Sequence, residues 1–225
     1  MTEYHIRLYQ DSDYHTVRDI FAGGITEHYP VALRHTFSLP RVWILVLTVF
    51  LLALVTTGSF IVSSVAVAVV ILVLSLININ ILISYVRTSL AGDMLDIKKH
   101  YLQRDGCCFW VAESEGEIVG MVAAAPFPHP GGQNQVELKR LSVPKKHRGR
   151  GIGKALCKTV IDFAQKSGYQ AVVLGTSQYQ MDSMNLYKRL GFKITAKATY
   201  YSNYYFTKLL DFVDFIFQYD LLKQQ

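Results

Sequence analysis

Along this chain the spacing of apolar side chains changes character several times, and each change marks an element. Residues 4–10 alternate His5, Arg7 and Tyr9 with Ile6 and Leu8, the period of a half-buried strand. Asp11-Ser12-Asp13 then offers N-cap side chains to a helix whose apolar positions Val17, Ile20, Phe21 and Ile25 recur at helical spacing. Periodicity disappears over residues 42–86, which are apolar almost throughout. It returns over 88–103 as an amphipathic helix with Leu90, Met94, Leu95 and Ile97 inward. Two strands are expected over 107–113 and 117–125, joined at Ser114-Glu115-Gly116, and Pro126, Pro128, Pro130 and Gly131-Gly132 mark a loop. Next come a strand over 136–143, a glycine loop, and a helix to about Lys166 with Ile152, Ala155, Leu156, Val160 and Phe163 on one face. Ser167-Gly168 closes that helix. Residues 171–175 form a short, wholly apolar strand of the buried kind, 181–190 a helix ending at Gly191, and 192–198 resume a β pattern. The tail is aromatic: Tyr200, Tyr201, Tyr204, Tyr205 and Phe206, then Phe212, Phe215, Phe217 and Tyr219. Phe215, Phe217 and Tyr219 alternate but Phe212 breaks the period, so a strand and an interfacial segment both fit.

The uncharged run from Val42 to Val86 holds no Asp, Glu, Lys, Arg or His. A membrane-crossing helix needs roughly 20 apolar residues, so this run suffices for two. A soluble core needs no such stretch. Thr56-Thr57-Gly58-Ser59 and Ser63-Ser64 are the two places for a hairpin turn; a re-entrant pair and a single tilted crossing are the alternatives. The run lies too far into the chain for a cleaved signal peptide. Both flanks are basic, with Arg34 and Arg41 before it and Arg87, Lys98, Lys99 and Arg104 after it, which places both ends on the cytoplasmic side. The expected organisation is therefore residues 1–38 as the first strand and helix of a domain, 39–87 as a membrane segment of two helices, and 88–225 as the rest of that domain. Two ends on one side let the domain close across the insertion.

Charge and cysteine content narrow the function classes. The chain of 225 residues carries a formal net charge of +6. Basic flanks resting on anionic headgroups account for that excess, and no nucleic-acid motif accompanies it, so no nucleic-acid partner is expected. Cys107, Cys108 and Cys157 give neither a disulfide framework nor zinc spacing, and the seven histidines show no ligand spacing, so no metal is expected.

The chemistry-bearing stretch is Arg148-Gly149-Arg150-Gly151-Ile152-Gly153, which joins the 136–143 strand to a helix. Glycines let the backbone approach an anion, and the free N–H groups at the start of the helix favour negative charge. Lys145, Lys146 and Lys154 add cations. The spacing fits neither G-x-G-x-x-G nor G-x-x-x-x-G-K-[ST], which argues against a dinucleotide fold and a P-loop.

The run from Glu137 to Leu156 resembles motif A of the GNAT superfamily of N-acetyltransferases, [QR]-x-x-G-x-[GA], which Arg148, Gly151 and Gly153 fill. A second GNAT motif, an Asn two residues before a Tyr and then Gly-Phe, is matched by Asn185, Tyr187 and Gly191-Phe192. The resemblance covers roughly residues 4–10 and 88–200. With the membrane insertion, it lies nearest the camello-like group that includes membrane-bound cysteinyl-conjugate acetylation. It implies a GNAT fold of the α/β (α+β) class: a mixed, mostly antiparallel sheet flanked by helices and interrupted by a transmembrane hairpin.

The resemblance implies acetyl-CoA as co-substrate. Its diphosphate would meet the N–H groups of Gly149, Gly151, Gly153 and Lys154 and the Arg148 side chain. Backbone groups of Leu141 and Val143 would pair with the pantetheine, Asn185 would hold the cofactor arm, and Tyr187 would protonate the departing sulfur. The alternative for Tyr187 is an aromatic packed beside Met184 and Leu190 on an amphipathic helix. Glu137 is the candidate general base, with a solvated glutamate paired to Lys139 or Arg140 as the alternative, and His129 is a weaker candidate. The favoured acceptor is a cysteine S-conjugate, with protein lysine, including histone lysine, as the alternative and a non-catalytic membrane adaptor as the rival class. The net positive charge gives no steering toward a basic histone tail. An endoplasmic reticulum or Golgi membrane, with a cytosolic catalytic domain, is implied as the location.

Overall fold

The computed structural model describes residues 3–128, 134–198 and 210–222. The chain opens with β1 (His5–Leu8) and four helices, α1 (Tyr14–Thr26), α2 (Tyr29–Ser38), α3 (Pro40–Thr57) and α4 (Phe60–Ala91). It continues through β2 (Cys108–Ser114), β3 (Glu117–Pro126), β4 (Gln135–Ser142), α5 (Ile152–Lys166), β5 (Ala171–Ser177), α6 (Met181–Leu190), β6 (Lys193–Ala198) and β7 (Asp214–Asp220). The seven strands form one sheet in the order β1-β2-β3-β4-β5-β7-β6. β4 and β5 run parallel through the α5 crossover, while the other neighbours are antiparallel.

Two apolar layers cover the sheet. On one face α5 and α6 bury Ile152, Leu156, Val160 and Met184 against Val122, Val136 and Leu174. On the other, α1 brings Val17 and Phe21 together with Met94, Ile97 and Tyr101 onto Phe109, Val111 and Met121. Gly120 lies where a Cβ would meet Ile152 and Leu156 at 3.0 Å, so β3 accepts α5 only with a bare backbone there. The tail resolves into a strand: β7 inserts between β5 and β6 and buries Phe217 and Tyr219, while Phe212 packs with Tyr179 and Leu210. Tyr200, Tyr201, Tyr204, Tyr205 and Phe206 lie outside the described residues.

The uncharged run becomes two helices of 18 and 32 residues, long and apolar enough to cross a membrane. The turn falls at the first of the two expected places. Gly58 takes the left-handed conformation (φ 64°) that ends α3, and the Ser59 side chain caps α4 by accepting from the Val62 amide at 3.4 Å. Ser63, inside α4, turns its hydroxyl back to the Ser59 carbonyl. α2, an element absent from the sequence reading, begins with Pro30 in its first turn and is tied to α4 by a Thr36 hydroxyl donating to Asn78 Oδ1 at 3.0 Å. At 1.5 Å per residue α4 is about 48 Å long, well beyond the ~30 Å of a bilayer interior, so it has several turns to spare.

Those extra turns correct one expectation. No separate amphipathic helix spans 88–103: α4 runs through to Ala91, Gly92 ends it, and a single wide turn follows at Lys98–Leu102. Met94 and Ile97 pack inward as expected, but Leu95 is 59% exposed. Beyond the break Asp93 faces the sheet beside these apolar residues.

What Asp93 meets there is Arg140. β4 carries a bulge, with Arg140 and Leu141 passing opposite the single residue Val122 between the Ala123–Lys139 and Met121–Ser142 pairs. Arg140 sits at φ 57°, a left-handed conformation that costs a non-glycine residue about 1–3 kcal/mol. Its guanidinium is held on every side: Nε and Nη2 donate to Asp93 at 3.0 and 2.5 Å, Nη1 donates to Ser89 at 2.8 Å and Tyr85 at 3.2 Å, and Phe21 lies 4.9 Å below. β4 and β5 pair only from Gln135–Ala171 to Glu137–Val173 and then separate, although β5 runs on to Ser177.

Burial pulls the Asp93 carboxyl upward, but the hydrogen bonds and charge of Arg140, with the Tyr101 hydroxyl, outweigh it and hold the group below its ordinary range. Unfolding therefore takes up a proton, and the stabilisation is present above about pH 4 and lost as pH falls through the folded-state value. Asp93→Asn is expected to cost about 3 kcal/mol at neutral pH, because it leaves Arg140 buried and unpaired. The deficit shrinks in acid. Thermal unfolding of the variant and wild type at neutral and acid pH measures both.

Candidate active site

The glycine loop is built by local backbone geometry. After Pro144 a short 3-10 turn (Lys145–His147) leads to an extended Arg148, then Gly149 at φ 79° and Gly151 at φ 84°. A Cβ on Gly149 would touch nothing within 4 Å, so conformation and not crowding demands glycine there. Gly151 is the N-cap of α5, and Ala155 is the first amide to reach an intrahelical carbonyl, that of Gly151, at 3.0 Å. The amides of Ile152, Gly153 and Lys154 precede the ladder and point out of the helix start, the arrangement that receives an anion. Gly153 has a second duty: its Cβ would come within 3.2 Å of Leu186, so glycine lets α6 pack close to α5. Lys154 and Lys145 are exposed.

Arg148 is placed differently from the sequence expectation. Its Nε donates to the Val143 carbonyl at 2.9 Å and its Nη2 forms an ion pair with Glu27 at the end of α1. The guanidinium thus fastens the loop to α1, and the Val143 carbonyl already has a partner. Arg150 turns to Ser114 at 3.2 Å. Both arginine side chains thus have protein partners, while the amides at the head of α5 point outward.

A cleft opens where β4 leaves β5. Glu137, Lys139 and Leu141 of β4 line one wall, Tyr187 of α6 another, and Phe21 and Tyr85 a third. Beyond Glu137, β4 has β3 on one side and no strand on the other, so an extended molecule can lie along its open edge. The structure decides between the two possible neighbours of Glu137: its Oε2 lies 3.6 Å from Lys139 Nζ, while Arg140 belongs to Asp93.

Tyr187 has the packing of a core aromatic and a place at the cleft. Its ring is 5% exposed and packs at 5.8 Å from Phe192 and from Phe217, yet it borders the cleft. Burial, with Cys157 adding to it, pushes the phenol well above its ordinary range, so the group is protonated at neutral pH. Asn185 is exposed and does not line the cleft; α6 contributes Ser183 instead, one turn before Tyr187 on the same face. That i, i+4 relation was available in the sequence. The contribution of Tyr85 was not, because nothing in an uncharged run says where its helix meets the sheet. His129 lies outside the described residues, and among those described no group of three His, Cys, Asp or Glu is placed to hold a metal.

Residues 80–192 match the Acetyltransferase (GNAT) family. N-acetyltransferase 8B of Mus musculus is 44% identical over 212 residues, covering 94% of this chain and 90% of that protein. N-acetyltransferase 8B of Homo sapiens is 42% identical over 202 residues, 89% of each. Among solved structures, a GNAT-family acetyltransferase from Staphylococcus aureus Mu50 superposes with a TM-score of 0.59 at 15% identity, covering 97% of this chain and 99% of that one. A Salmonella typhimurium protein solved with its cofactor acetyl-CoA gives 0.53 at 17% identity, with 97% and 94% covered. At these identities the structures speak for the fold, and the sequence relatives for the family. An anion seat at the head of α5 beside a parallel strand pair that splays apart is what acetyl-CoA requires, and the chain belongs to the GNAT acetyltransferase family as an acetyl-CoA-dependent N-acetyltransferase.

Proposed function

We propose that the acceptor is the free amine of an S-substituted cysteine, and that α3 and α4 anchor the enzyme in an intracellular membrane, endoplasmic reticulum or Golgi, with the catalytic domain on the cytosolic side. The observation that carries this reading is Tyr85. It belongs to α4, the longer of the two apolar helices, and it lines the cleft together with Phe21. An acceptor with an apolar substituent would therefore meet an aromatic wall at the end of the membrane helix, where compounds that partition into a bilayer arrive. The exposed apolar residues of the hairpin, among them Ile44, Leu52, Val55 and Ile61, support the anchoring.

Acetyl-CoA supplies an activated acetyl group as a thioester. The amides of Gly149, Gly151, Gly153 and Lys154 would bind its diphosphate, and the open edge of β4 at Leu141, with the Val143 amide just beyond it, would align its arm. Glu137 takes one proton from the incoming ammonium and passes it to solvent. As the C–N bond forms and the C–S bond breaks, Tyr187 gives its proton to the sulfur and recovers one from the new amide nitrogen. Two protons leave nitrogen, one is released and one ends on sulfur, so the exchange balances. Asn185, exposed on α6, would reach only the outer part of the cofactor arm.

Purified enzyme is expected to release CoA faster with S-benzyl-cysteine than with free lysine, aspartate or a lysine-containing peptide. Equal or lower turnover of S-benzyl-cysteine contradicts the acceptor assignment. In the same assay Tyr187→Phe should lower kcat by about 10²-fold or more while acetyl-CoA still binds. Separately, the expressed protein should remain in the membrane pellet after alkaline carbonate extraction; recovery in the supernatant contradicts the anchor.

A further inference from the structure

We propose that Lys139 binds the α-carboxylate of the acceptor and so selects free α-amino acids over simple amines and over lysine side chains. The proposal rests on reading the cleft between β4, α1 and α4 as the acceptor site.

Glu137 and Lys139 are two residues apart on β4, so both side chains leave the same face of the sheet, and both line the cleft. Each is part-exposed, 23% for Glu137 and 31% for Lys139. Their 3.6 Å separation is longer than a hydrogen bond, a through-space pair in contact with solvent. Such pairs contribute little, so exchanging one for contacts with a ligand costs little.

The neighbouring cation gives the contrast. Arg140 is only 8% exposed at its side chain, and Asp93, Ser89 and Tyr85 take up its donors. Asp93, whose carboxyl also feels the Lys139 charge, is already engaged by both Arg140 and the Tyr101 hydroxyl. Among the described residues, the carboxylate that Lys139 approaches is that of Glu137, the group that must receive the acceptor's ammonium. Once the ammonium occupies Glu137, Lys139 faces the cleft without its anion. An α-amino acid supplies the replacement, because its ammonium and carboxylate sit on one carbon. The cleft thus offers a negative and a positive group side by side to a molecule with the complementary pair. A protein lysine brings its ammonium on a four-carbon stem with no carboxylate beside it, and would strand Lys139.

Kinetics with S-benzyl-cysteine, its carboxamide and 2-(benzylthio)ethylamine test this in wild type, Lys139→Gln and Lys139→Arg. Wild type should prefer the acid over both other amines by about tenfold or more in kcat/KM, the size of a charge-assisted hydrogen bond. In K139Q that preference should collapse toward unity, mainly through a higher KM for the acid, and K139R should restore part of it. Comparing ratios cancels differences in amine basicity among the acceptors. Equal use of all three by wild type overturns this inference while leaving the cysteine-conjugate reading intact. So does a K139Q variant that keeps the wild-type ratio, or that loses rate equally on every acceptor with a lowered melting temperature, the mark of a purely structural lysine. If no benzyl compound is acetylated while a lysine peptide is, the acceptor reading and this inference fall together.

Discussion

The active site depends on a strand that is forced out of register at one residue. Arg140 holds a left-handed backbone conformation in β4 because its guanidinium is pinned by Asp93, Ser89 and Tyr85 and lies over Phe21. The bulge it creates turns β4 away from β5 after three residue pairs. Without that divergence the two parallel strands would continue side by side, their backbone groups would pair with each other, and no open edge would face the cleft. The glycine loop follows directly from the end of the same strand, so the bulge also sets where the head of α5 stands relative to the gap.

The partners of Arg140 come from a distant part of the chain. Tyr85 and Ser89 lie on the last turns of α4, and Asp93 lies just beyond the Gly92 break. The helix with the greater length of apolar surface is thus joined by hydrogen bonds and an ion pair to the strand that lines the cleft. α2 reinforces this junction through the buried Thr36–Asn78 contact, and Arg148 joins the glycine loop to α1 through Glu27. The longer apolar helix and the sheet are thus joined directly rather than across a linker. On the proposed reading, the acceptor meets Tyr85 at the end of the anchor and Glu137 on the sheet within one cleft.

Much of this was legible in the residues. Alternation marked β1, the turn at residues 114–116 marked β2 and β3, helical spacing marked α1 and α5, and the glycines of residues 149–153 fell at positive φ or at a close helix contact. The turn at Gly58-Ser59 was legible because glycine and serine carry strong local preferences. What stayed hidden is what tertiary contacts decide. α2 has a mixed face that only α4 makes sense of, and the helix expected over 88–103 ends at Gly92, beyond which Asp93 pairs with Arg140. β7 declared itself a strand only through its place between β5 and β6. Arg148 looked like an anion ligand by motif, yet Glu27, far away in sequence, holds it.

The central claim is that the amides at the head of α5 and the open edge of β4 receive the acetyl donor. Hydrogen–deuterium exchange of the solubilised enzyme with and without CoA tests it most directly. The account predicts slowed exchange confined mainly to the amides of residues 141–143 and 149–154, with α3 and the hairpin turn unchanged. Saturating CoA that leaves both stretches exchanging as fast as in its absence, or that protects a different part of the sheet instead, would contradict it.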